Sequence, residues 1–237
     1  AEVNALAPRR DSHTSKLIAL NRGGTGSLTG GKPGPYSATG STTTNTHFLP
    51  RGHGMHGGAR SWTFATWVSI SASSDGWIAS VASANDNASM DWGLYLGNTG
   101  TKKFTIYVNE GGGVLKYSTS EYRGAINNNT MYGVICEYNY STGTLTLEVN
   151  RAANPSPTTG VAASYLSDGP FFFTGRFYTN PSIYATHDSS VFVNGLWSAA
   201  EKDSWYNAGA GKTYTQIGGP APNFYPALTN GGMQVYD

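Results

Sequence analysis

Five aromatic residues, Trp77, Trp92, Tyr95, Tyr107 and Tyr117, alternate with polar neighbours along successive stretches of the chain. A ring of this kind stacks on the apolar face of a sugar, while nearby amide and carboxyl groups bind its hydroxyls. These five are therefore the candidate glycan- or partner-binding residues. The competing reading places single rings in a protein core, the commoner fate of a large aromatic. Asp86 and Asn87, with Asp91 just beyond, offer oxygen ligands on one loop, the donor set calcium prefers. Calcium there is the candidate metal, and no cofactor is required.

Other chemistries find less support. Glycoside hydrolysis needs two carboxylates at a fixed separation. The chain has 14 acidic residues, and no two alternate along an expected strand. Glu137 and Glu148 stand singly on what read as solvated hairpin positions. His47, His53 and His56 fall around a glycine-rich loop with no cysteine or carboxylate beside them, a poor zinc set. His13 and His187 are isolated. Gly26-Ser27 lacks the strand-to-helix turn of a serine nucleophile. The run Arg22-Gly23-Gly24-Thr25-Gly26 opens no helix and so makes no phosphate cradle. No residue is assigned a catalytic role, and the chain reads as a binding protein rather than an enzyme.

The composition agrees. Charged residues make up 12% of 237, about half the usual share, and the formal net charge is +1. Without a run of lysine or arginine, neither a nucleic-acid footprint nor a polybasic membrane patch is expected. No apolar stretch reaches membrane-spanning length, and no apolar leader opens the chain, so a signal has been removed or never existed. Cys136 is the single cysteine, so no intrachain disulfide forms, and it reads as a small buried hydrophobe.

The elements that must position these residues are strands. Residues 131–150 form the clearest one, a hairpin. Tyr132, Val134, Cys136 and Tyr138 alternate with Gly133, Ile135 and Glu137, and Leu145, Leu147 and Val149 alternate with Thr144, Thr146 and Glu148. That period predicts one buried and one solvated face. Further strands are expected at 61–70, 77–83, 92–96, 104–109, 114–119, 171–178 and 189–194, about nine in all at the regular spacing of a sandwich. Residues 1–58 read as irregular apart from the short apolar run Leu17, Ile18, Leu20. Ser198 and Glu201 form a capping box. The helix they start should run to about Asn207 and stop at Gly209, with Trp205 and Tyr206 docking it on the sandwich.

Four segments resemble concanavalin-A-like, laminin-G-like jelly-roll domains, particularly the stand-alone type of bacterial secreted and bacteriophage proteins. They are Arg10-Asp11-Ser12-His13 with its following apolar run, SWTFATWV at 61–68, the hairpin at 132–150, and the closing helix at 196–206 with NAGAGKTY after it. Three features depart from the pattern. Residues 1–9 lack the usual opening strand, Asn150-Arg151 stands where Asn-Gly is usual, and the acidic pair before the last strand is missing near Ser189-Ser190.

The expected fold is all-β, an antiparallel two-sheet jelly-roll sandwich with one short C-terminal helix. It forms a single domain over 1–237 with irregular extensions at about 1–20 and 215–237. The resemblance implies a non-catalytic, lectin-like module on an exterior surface, secreted or virion, that recognises glycans and often carries calcium. The alternative is a bacteriophage structural protein, a capsid decoration or tail component, whose terminal extensions engage capsid or tail proteins and which can oligomerise. A glycan hydrolase is a distant third.

Overall fold

The computed structural model describes residues 17–20, 38–39, 47–49, 55, 57–70, 75–83, 88–97, 102–119, 126–153, 157–164, 169, 171–173 and 185–211. The expected terminal extensions lie outside these residues, except that Leu17–Leu20 is a strand and not an irregular tail.

The strands, in chain order, are β1 (Leu17–Leu20), β2 (Ala38–Thr39), β3 (His47–Leu49), β4 (Trp62–Ile70), β5 (Gly76–Ala82), β6 (Met90–Gly97) and β7 (Lys103–Asn109). They continue as β8 (Leu115–Thr119), β9 (Met131–Asn139), β10 (Thr144–Val149), β11 (Ala152–Ala153), β12 (Phe171–Phe173) and β13 (Ala185–Asn194). Helix α1 (Ala199–Tyr206) closes the series. Among the described residues, one sheet runs β1-β13-β4-β9-β10-β11, with β2 also pairing β13, and the other runs β3-β12-β5-β6-β7-β8. Late strands β13 and β12 insert between early ones, the crossover that makes this antiparallel sandwich a jelly roll.

The alternation in the sequence becomes the space between the sheets. Trp62 and Phe64 of β4, Trp92 of β6, Phe171 of β12 and Phe192 of β13 meet there. The ring centroids of Phe64 and Trp92 are 5.0 Å apart, and those of Trp62 and Trp92 5.3 Å. Burial of each such ring contributes roughly 1.5–3 kcal/mol. Their polar atoms are satisfied by the glycine-rich segment that precedes β4. Trp92 Nε1 donates to the Met55 carbonyl at 2.7 Å, and Trp62 Nε1 donates to the Gly57 carbonyl at 3.1 Å. Cys136 is fully buried in this core, and burial pushes its thiol well above the ordinary range.

The hairpin forms in the expected register, Leu147 opposite Cys136 and Leu145 opposite Tyr138. Its outer face, however, is not solvated on β9. Helix α1 lies over it, and Trp205 stacks on Trp67 of β4 at 5.3 Å while Tyr206 stacks on the same ring at 5.6 Å. Glycine at 133 leaves room for this contact, since a methyl there would meet both Trp67 and Tyr206 at about 3.1–3.2 Å. The capping box forms as expected. Glu201 N donates to Ser198 Oγ at 3.2 Å, and Ser198 N donates to Glu201 Oε2 at 2.7 Å. The helix ends at Asn207 in the left-handed region.

Candidate ligand-binding face

The outer face of the second sheet carries an aromatic row. Two β-bulges shape it. On β5 the register against β6 shifts between Trp77 and Ala79, so Trp77 turns outward while Ile78 and Ala79 both face the core. On β6 a second shift puts Met90 outward and Asp91 and Trp92 inward. Beyond it the alternation is regular, with Gly93 and Tyr95 outward and Leu94 and Leu96 inward. Gly93 sits opposite Tyr107 of β7, and Tyr107 sits opposite Tyr117 of β8.

The gap above Gly93 is filled by the Trp77 indole, which reaches across β6. It meets the Tyr95 ring edge-on at 4.9 Å and the Tyr107 ring at 5.5 Å. Tyr107 in turn lies 5.5 Å from Tyr117. Trp77 is 8% exposed and forms the floor; Tyr95 and Tyr107 are half-buried, and Tyr117 is 54% exposed. Leu115, Met90 and Ala82 pack around the set. The Tyr95 hydroxyl donates to Asp75 Oδ2 at 2.8 Å. Burial, helped by that bond, raises the Tyr95 phenol to about 12. Burial also raises Tyr107, with Tyr117 adding to it. The hydroxyls of Tyr107 and Tyr117 make no hydrogen bond among the described residues, so each offers a donor and an acceptor to a ligand.

Four of the five aromatic candidates are thus one surface. Trp92 is not part of it: at 0% exposure between the sheets it is core, and its indole N–H is already engaged. Parity was the signal available in the sequence. Trp92 keeps step with Leu94 and Leu96, whereas Tyr95 keeps step with Gly93.

Of the three calcium candidates, Asp86 and Asn87 lie outside the described residues. Asp91 is fully buried, accepts the Gly57 backbone N–H at 2.7 Å and interacts with the Arg60 guanidinium. Its observed task is to hold the segment before β4. Of the zinc candidates, His53 and His56 lie outside the described residues, and only the backbone of His47, in β3, is described. Among the described residues no group of three or more His, Cys, Asp or Glu side chains is placed to hold a metal ion.

Glu137 and Glu148 are corrected by the structure. Neither is a solvated singleton. Lys202 of α1 donates to Glu137 Oε2 and, at 2.8 Å, to Glu148 Oε1. Thr63 donates to Glu137 Oε1 at 3.2 Å. Arg151 joins Glu148 to Asp203, with Nε 2.7 Å from Asp203 Oδ1. Burial raises the Glu137 carboxyl, against the pull of Lys202. On Lys202 burial acts downward, but its two carboxylate partners outweigh it and hold the ammonium above its ordinary value. Both carboxylates are engaged by cations under the helix, which makes the cluster a brace between α1 and the hairpin. The sequence missed it because Lys202 arrives from a helix far along the chain.

No protein-family model matches this sequence, and no match occurs among curated proteins. Solved structures do share the fold. The binding domain of botulinum neurotoxin DC, solved with rat synaptotagmin II, aligns at TM-score 0.55 and 9% identity over 82% of this chain and 46% of that one. A botulinum neurotoxin type C structure aligns at 0.52 and 8% identity over the same shares. Mouse laminin α1 domains LG4-5 align at 0.48 and 14% over 68% of this chain and 43% of that one. This chain spans less than half the length of these chains. At such identities the likeness is one of fold: a jelly-roll sandwich of the kind found in lectin-like and toxin-binding domains.

Proposed function

We propose that this protein is a non-catalytic binding module that recognises glycans through the outer face of its second sheet, and that it works on an exterior surface. One observation carries the reading: Tyr95, Tyr107 and Tyr117 form a partly exposed ring surface over the buried Trp77, with two hydroxyls that make no hydrogen bond among the described residues. Partly exposed rings edged by hydroxyls suit a sugar, which presents C–H groups on one face and hydroxyls around its rim. Similar sandwiches support the class of function. The type C neurotoxin is described as depending on interaction with two ganglioside molecules for cell entry. The carboxylate pair, braced by Lys202 and Arg151, lends no support to hydrolysis. Among the described residues no helix is long and apolar enough to cross a membrane.

The donors on this face are rings and hydroxyls, so binding should need no metal. A glycan array probed with calcium and then with chelator tests both statements. Selective binding that survives chelation and is lost in Tyr107→Ala supports the reading. Binding abolished by chelation would overturn the metal-free site and return Asp86 and Asn87 as calcium candidates. An array with no hits would remove the glycan function.

A further inference from the structure

Resting on that reading, we infer that the glycan carries a single acidic group, and that this group sits in a notch over Gly97 against the Lys103 ammonium. Lys103 opens β7 directly opposite Gly97 of β6. Lys103 shares the outer face with Tyr107 of its own strand, and Gly97 shares it with Tyr95. Tyr95 and Lys103 therefore flank a position that has no side chain. A methyl carbon at Gly97 would meet the edge of the Tyr95 ring at 3.8 Å and nothing else within 4 Å. The space above Gly97 is open, with a ring on one side and a cation on the other.

Lys103 is also the cation left over. Among the described residues, Lys102 donates to Asn128 Oδ1 at 2.8 Å, Lys116 lies 3.9 Å from Glu110, and Arg60 interacts with Asp91. Arg151 and Lys202 are held by the carboxylates under α1. Lys103 has neither a counter-ion nor a hydrogen-bond partner in this set. It is half-buried, so part of its water is already displaced. An acid oxygen over Gly97 would gain a charge-assisted hydrogen bond from this ammonium. The sugar behind it would lie against the exposed part of the Tyr95 ring.

Asp75 limits the ligand to one such group. Its carboxylate accepts from the Tyr95 hydroxyl on the β5 side of the notch, whereas Lys103 faces in from β7. Two strand spacings, about 10 Å, lie between the backbones of β5 and β7. Over that distance salt screens most of the repulsion between Asp75 and an acid group held by Lys103. A polyanion extending towards β5 would bring a second charge onto Asp75.

A glycan array of matched pairs tests this, each neutral glycan beside the same glycan carrying one uronic acid, one sialic acid or one sulfate ester, with heparin as the polyanion. Hits should favour the acidic member of a pair. Preference among the three acidic forms tells a carboxylate from a sulfate. Titration calorimetry on the best pair should show Lys103→Gln weakening the acidic member about three- to tenfold, with the neutral member unchanged and Lys103→Arg retaining the preference. Gly97→Val fills the notch with a residue suited to a strand, and should lose the acidic glycan without lowering the melting temperature. Equal binding of both members, hits confined to heparin, or an acidic preference that survives either Lys103→Gln or Gly97→Val would overturn the notch and leave the glycan-binding function standing. An array with no hits would overturn both.

Discussion

Lys202 of helix α1 donates to Glu137 on β9 beneath it, and both side chains are close to nine-tenths buried. The same ammonium reaches Glu148 across the hairpin. This contact fixes a pH response. A lysine whose folded value is raised contributes stability that is fully present below its ordinary value of 10.5 and is lost as pH climbs through the raised one. Tyr95, raised from 10.0 to about 12, acts in the same direction over that window. Stability should therefore fall on the alkaline side above about pH 10, as read by urea midpoints across pH. Lys202→Met should lose part of that alkaline slope. It should also cost on the order of 3 kcal/mol near neutrality, because it leaves the buried Glu137 carboxylate without its cation while Glu148 keeps Arg151. An unchanged midpoint at pH 7 would contradict the brace.

Gly93 and Trp77 make a second pair. A methyl carbon at Gly93 would sit 2.6 Å from the Trp77 ring and 3.0 Å from the Met90 sulfur. Gly93→Ala must lift the indole off β6, at a cost of roughly 1–3 kcal/mol. The expected result is a folded protein with a red-shifted, more exposed tryptophan emission and weakened ligand binding. Retained binding with the indole displaced would show that the row is not the site.

Trp92 and Tyr117 separate core from surface. Trp92→Ala should cost about 3–5 kcal/mol, since it opens a cavity between the sheets and removes the indole hydrogen bond to the Met55 carbonyl. Tyr117→Ala, at an exposed position on β8, should stay within about 0.5 kcal/mol. Denaturant unfolding of the two variants, run side by side, reads the difference. Equal losses would mean that Tyr117 supports the fold and is not displayed.

How much of this was written in the sequence depends on range. The capping box of Ser198 and Glu201 and the hairpin pairing of Leu147 with Cys136 are local, and both form as their residues dictate. The aromatic candidates were readable as a group, and parity along β6 separates Trp92 from Tyr95; what was not readable is the bulge that turns Trp77 outward while both Ile78 and Ala79 face the core. The burial of Glu137 was not readable, because α1 covers it from far along the chain. Short strands such as Ala38–Thr39 were missed because two residues carry no period.

The turn between β10 and β11 gives the last test. Asn150 and Arg151 are its two residues, and both have positive φ, 51° and 63°. That geometry favours glycine at the second position. Arginine there carries strain of roughly 1 kcal/mol. Its side chain offsets the strain by reaching Glu148 and Asp203. Arg151→Ala removes the ion pairs and keeps the strain; Arg151→Gly removes both. The glycine variant should therefore be about 1 kcal/mol more stable than the alanine variant and close to the parent. Chemical denaturation of the three proteins decides the matter. A glycine variant no more stable than the alanine one would mean that the turn holds Arg151 without strain, leaving the ion pairs as the whole reason for arginine at this position.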